Sequence, residues 1–169
     1  MRALVEHAKG YKVVLVASNK PQAQGLEWAR SNGLQTWALE SGGMAKEEFD
    51  RRMSAALDER GVGTIALAGF MRILSPWFVE EWRGRIVNIH PSLLPTYRGL
   101  DTHARAIAAG DRISGCSVHV VTEELDAGEV LGRTEVPVLP ADTPAMLEQR
   151  VLAAEHALYP KVLSEFVQR

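Results

Sequence analysis

At 169 residues, 46% of them hydrophobic, the chain can bury one ordinary core and is short for two, so a single domain over 1–169 is expected. A 24% share of charged residues with a formal net charge of -2 leaves no positive field for a nucleic-acid backbone or an anionic membrane. The longest apolar stretches, 13–17 and 65–71, fall far below the roughly 20 residues of a membrane-spanning helix, and the charges of Arg2, Glu6 and Lys9 break what a secretory signal keeps apolar.

Short runs rich in Val, Ile and Leu alternate with longer segments whose apolar residues recur three or four apart, the pattern of an α/β fold. Residues 11–18 read as a strand buried on both faces, and 22–32, with Leu26, Trp28 and Ala29 on one side, as the helix after it, ended by Gly33. A weaker strand follows at 34–39. The segment 46–60 reads as an amphipathic helix whose Phe49, Met53 and Leu57 face the core. Residues 64–68 form a third strand, 76–82 a short helix and 85–90 a fourth strand. The segments 117–122 and 130–138, joined by an acidic turn containing Gly128, predict an antiparallel pair added to a parallel sheet. A helix from Pro144 to about Val167 closes the chain. No repeat, low-complexity tract or Pro- and Ser-rich linker marks a domain boundary. The single cysteine, Cys116, permits no internal disulfide and reads as a small buried apolar residue.

Alternation along the fourth strand puts Ile86, Asn88 and His90 on one face and Val87 and Ile89 on the other. Pro91 cannot join a ladder, so Asn88 and His90 stand at the carboxyl end, where open parallel sheets form their ligand crevices. An amide can donate to a developing oxyanion and an imidazole can move a proton near neutral pH. Two polar groups satisfied by the following loop would give the same pattern. A carboxylate beside His90 would orient the ring and favour its charged form, and Asp126 is the candidate, although its surroundings alone read as a solvated turn. The loop from Gly69 to Leu74 can wall a flat heterocycle or bury Phe70 and Leu74 in a tight connection. His7, His103, His119 and His156 make no metal-binding pair, so no metal is expected, and no Gly-x-Gly-x-x-Gly follows a strand.

The run Asn88-Ile89-His90-Pro91-Ser92-Leu93-Leu94-Pro95 resembles the formyltransferases that use 10-formyltetrahydrofolate. Within them, residues 67–76 (Leu-Ala-Gly-Phe-Met-Arg-Ile-Leu-Ser-Pro), Ser117-Val118-His119, Glu124-Leu125-Asp126 and Glu155-His156 resemble the phosphoribosylglycinamide formyltransferases, and the likeness runs the length of the chain. It implies a doubly wound, mostly parallel sheet with an antiparallel C-terminal strand pair. It also implies formyl transfer from 10-formyltetrahydrofolate to the amine of glycinamide ribonucleotide, without metal. Charge, apolar run length and the first residues lead to the expectation of a cytoplasmic protein, monomer or homodimer, that binds neither nucleic acid nor membrane.

By the same resemblance Asn88 holds the formyl oxygen, His90 is the proton-transfer group, and Asp126 tunes His90 and organises the water that carries the proton. Met71, Arg72, Ile73 and Leu74, the loop Thr122, Glu123, Glu124, Leu125 and Asp126, and the basic Lys46 match folate-binding positions; Glu155 matches an acidic residue on the nucleotide. The family's first strand and its Gly-x-Gly-Ser-Asn phosphate loop have no counterpart among these residues, and Met1 to Val5 resembles the start of the helix after them. That strand is central in the family, so two strands are expected to lack their shared neighbour. Leu152 stands where the family can place a polar residue, so the expectation is a retained folate half and a reduced nucleotide half. Rival readings are a formyltetrahydrofolate hydrolase, another formyltransferase branch, and a folate-binding module without catalysis.

Overall fold

The computed structural model describes residues 1–169. Helix α1 (Arg2–Glu6) leads to β1 (Val16–Ser18), α2 (Gln24–Ser31), β2 (Thr36–Ala38), α3 (Lys46–Asp58), β3 (Ile65–Leu67), α4 (Pro76–Glu81) and β4 (Ile86–His90). Helix α5 (Thr102–Ala108), β5 (Ile113–Val120), β6 (Val130–Pro137) and α6 (Pro144–Phe166) complete the chain. The starts of α4 and α6 follow one recipe: Ser75 and Thr143 accept the N–H groups of Phe78 and Met146, and a proline opens each helix. Gly33 ends α2 in the left-handed conformation, at φ +73°.

The strands form two sheets. In one, β1 and β2 run parallel; in the other the order is β3-β4-β5-β6, with β3 and β4 parallel and both later pairs antiparallel. No backbone hydrogen bond joins β1 to β3, so two strands lack a shared neighbour, as the sequence leads one to expect. The two sheets lie on one layer nonetheless: Leu15, Trp37 and Leu39, with Ile65 and Leu67, pack against the core of α3 and α4, built around Phe49, Phe78 and Trp82. On the opposite face Val87 and Val118 pack against Leu4 of α1 and Tyr159, Val162 and Leu163 of α6. Helices therefore cover both faces. The alternation read along β4 holds, since Ile86 enters the first cluster and Val87 the second.

Three expectations change. Residues 11–15 belong to no strand, and β1 begins only at Val16, whose N–H donates to Gln35; with nothing bonded on the other side, no ladder extends it. The penultimate strand begins at Ile113 rather than 117 and ends at Val120, because Gly115, which by itself signals a break, is used for close approach. A Cβ there would collide with the Thr134 carbonyl of β6. Helix α5 lies outside the elements expected from periodicity; it is one short Ala-rich segment after Asp101, a non-glycine residue at φ +57°. No helix is long and apolar enough to cross a membrane.

Candidate active site

The site begins with the β4–β5 register. Asn88 pairs with His119 and His90 with Ser117, so these four side chains share the face opposite Val87 and Val118. One of them anchors the segment after β4: the Ser117 hydroxyl donates to the Ser92 carbonyl at 2.7 Å and accepts the Leu94 N–H at 3.0 Å. From α5, Thr102 donates to the Pro91 carbonyl at 2.8 Å. The loop so tied carries Tyr97, at φ +55°, and turns its carbonyl to within 2.9 Å of His90 Nε2.

The loop between β5 and β6 supplies the carboxylate. Asp126, at φ +49°, has its carboxylate nearly buried, and Oδ2 accepts the Gly99 N–H at 2.9 Å and lies 3.3 Å from His90 Nδ1. Its Oδ1 lies 3.5 Å from His119 Nε2. An ion pair of 2.6 Å between Arg98 and Glu124 links this loop to the one after β4. Gly128 makes the return possible, because a Cβ at that position would collide with the Val120 carbonyl. Tyr97, Asp101 and Asp126 are the non-glycine residues with positive φ, and all three are in loops bordering this site, where strain is held by surrounding contacts.

His90 is buried, with both ring nitrogens facing oxygen acceptors, so each N–H has a partner when the ring carries both protons. Asn88 is half-buried, and its Nδ2 lies 3.2 Å from His119 Nε2. Burial pushes His119 below its ordinary protonation range, against the opposing pull of the Val120 carbonyl and Asp126. His103 is also pushed down by burial, with Glu148 pulling it up, and its Nδ1 has no partner. No group of three or more His, Cys, Asp or Glu side chains is arranged to hold a metal ion. This arrangement suits proton movement between an imidazole and a carboxylate next to an amide donor.

A family model described as formyl transferase matches residues 1–163. The phosphoribosylglycinamide formyltransferase of Escherichia coli (strain K12) is 44% identical over 98% of this chain, which spans 81% of that protein. The trifunctional purine biosynthetic protein adenosine-3 of Drosophila melanogaster is 46% identical over 92% of the chain, which spans 12% of that longer protein. The crystal structure of the Brucella melitensis phosphoribosylglycinamide formyltransferase superposes with a TM-score of 0.90 at 45% identity, covering 97% of this chain and 87% of that one. The chain belongs to the phosphoribosylglycinamide formyltransferases.

In this formyltransferase Asn88, His90 and Asp126 converge, and the other residues expected at the site are spread around them. Met71 and Ile73 are largely exposed on the loop after β3, Leu74 is in the core with Phe49 and Phe78, and the Arg72 guanidinium stacks 4.6 Å over Phe49 with Nε unpartnered. Thr122 closes its own loop by donating to the Glu124 carbonyl, Glu123 is exposed, and Leu125 stands out from the surface. Lys46 opens α3, exposed and without an ion pair. Glu155 is half-buried on α6; burial pushes its carboxyl up to about 7, Glu148 adding to the rise and the Met1 amine opposing it. No hydrogen bond ties Glu155 or Lys46 to the Asn88–His90–Asp126 group. Cys116 is inert, its thiol pushed up to about 12 by burial. His119, Ser117, Tyr97 and Gly99 join the candidate site only in the structure. Ser117 and His119 lie in a run that carries the family resemblance, but their place opposite His90 and Asn88 needs the β4 register to be read.

Proposed function

We propose that this enzyme transfers the formyl group of 10-formyltetrahydrofolate to the primary amine of glycinamide ribonucleotide, in purine biosynthesis. The observation that carries the reading is the Asp126 carboxylate, 3.3 Å from His90 Nδ1, beside the face on which Asn88 offers its amide. The amine attacks the formyl carbon, the bond from that carbon to the folate nitrogen breaks, and the proton lost by the amine ends on the departing nitrogen. Asn88 donates to the formyl oxygen as charge develops there. His90 is the proton-transfer group, and because both its nitrogens already face protein acceptors, water held at Asp126 relays the proton. Met71, Arg72, Ile73, Leu74, Lys46 and the loop Thr122 to Asp126 receive the folate, Leu74 through its backbone, and Glu155 contacts the nucleotide.

The test is formyl transfer followed by folate absorbance, with glycinamide ribonucleotide as acceptor. His90→Ala is expected to lower kcat by about 10²- to 10⁴-fold, and Asn88→Ala by about 10²- to 10³-fold. Formate release without the amine would identify a hydrolase, and unchanged turnover in both variants would remove these residues from the mechanism.

A further inference from the structure

Two imidazoles flank the Asp126 carboxylate, and the reaction as proposed uses one of them. His119 is buried in β5, with Nδ1 3.0 Å from the Val120 carbonyl and Nε2 3.2 Å from Asn88 Nδ2. A carbonyl only accepts, so Nδ1 carries the proton; in the neutral ring Nε2 is then a bare acceptor, and its partner must donate. The Asn88 amide supplies that donor when its NH₂, not its oxygen, faces His119. Asp126 Oδ1, at 3.5 Å, is the more distant neighbour of Nε2 and receives no proton from this tautomer. Burial holds the ring neutral, with His90 adding to that tendency and Asp126 opposing it.

The geometry points to His119 as a positioning residue that fixes the Asn88 amide, turning one N–H toward its own Nε2 so that the other is presented to the formyl oxygen. Without this acceptor the amide can rotate by half a turn and present its oxygen, which repels the developing oxyanion. The same tautomer separates the two histidines: His119 stays a neutral acceptor, and Asp126 is left to His90 and to water. Locally, Gly128 packs closely against the Val120 carbonyl, the Val120 N–H donates to the Glu129 carbonyl, and the Val120 carbonyl meets the imidazole. The inference rests on the role proposed above for Asn88.

Imidazole ¹⁵N spectra of the whole chain at pH 7.5 test the contact without turnover. His119 is expected as the Nδ1–H tautomer; the commoner Nε2–H form would overturn the inference. In the transfer assay His119→Leu is expected to lower kcat by about 10- to 100-fold with the folate KM little changed, and His119→Gln, whose amide oxygen can replace Nε2, to recover most of it. The pair Asn88→Ala and His119→Leu is expected to be no slower than Asn88→Ala alone; additive losses would overturn the positioning role. Full activity in His119→Leu while Asn88→Ala is impaired would overturn this inference alone. Full activity in Asn88→Ala would overturn the site reading and with it the role of His119, and the tautomer would still report whether the contact exists.

Discussion

Asp126 gathers more of the site than any other side chain, since one carboxylate faces His90, His119 and the Gly99 N–H. Its amide analogue keeps an oxygen for Gly99 and removes the charge. Asp126→Asn is therefore expected to fold with near-native thermal stability and to lower kcat by about 10²-fold or more, measured in the formyl-transfer assay. Glu155 gives a prediction in pH. Its folded carboxyl is raised from an ordinary 4.5 to about 7, chiefly by burial. Across that window the native state holds a proton that the unfolded chain has released, so stability falls as pH rises from about 4.5 to 7 and stays low above it. After solvent screening the loss is roughly 1 to 2 kcal/mol. Urea unfolding of Glu155→Gln at pH 5 and pH 8 is expected to show a smaller difference between the two than the parent chain.

At the scale of elements, buried polar hydrogen bonds outside the site tie helices to strands and to one another. Tyr159 of α6 is fully buried, with its hydroxyl 2.9 Å from the Val87 carbonyl and 3.1 Å from that of Leu67, so one phenol ties the helix to β3 and β4. Burial raises that hydroxyl well above its ordinary range, which keeps it a donor. Tyr159→Phe leaves both carbonyls without it and is expected to cost about 1 to 3 kcal/mol in denaturant unfolding. On the other face Trp82 donates to Ser54 at 2.9 Å, and buried Asp50 accepts the Ser75 N–H at 2.6 Å, locking α4 onto α3. Since β4 lies between these two faces, both sets of stitches bear on the position of Asn88 and His90.

Across the whole molecule the sheet is divided, and the division predicts unequal stability. The β1–β2 pair is short and bonded to no other strand, whereas β4 and β5 are paired on both sides. Amides of Val16–Ser18 and Thr36–Ala38 are expected to exchange with deuterium well before those of Val87 and Val118. Equal protection in the two regions would mean that packing on α3, not strand pairing, sets the local opening free energy. The site, built on β4 and β5, stands on the better-bonded sheet.

Much of this was legible in the chain, because local chemistry fixes it. Hydrophobic period gave the α/β order, and alternation gave the shared face of Asn88 and His90. The eight-residue run at Asn88 pointed to the family. Asp126, by contrast, is a candidate whose surroundings read locally as a turn; the resemblance, not its spacing, raised it above that, since its distance to His90 depends on a return loop that Gly128 closes against Val120. His119 looked like one more strand residue until the register set it opposite Asn88. Periodicity is a property of neighbours along the chain, whereas register, burial and the pairing of distant carboxylates with imidazoles depend on contacts that only the packed tertiary structure makes.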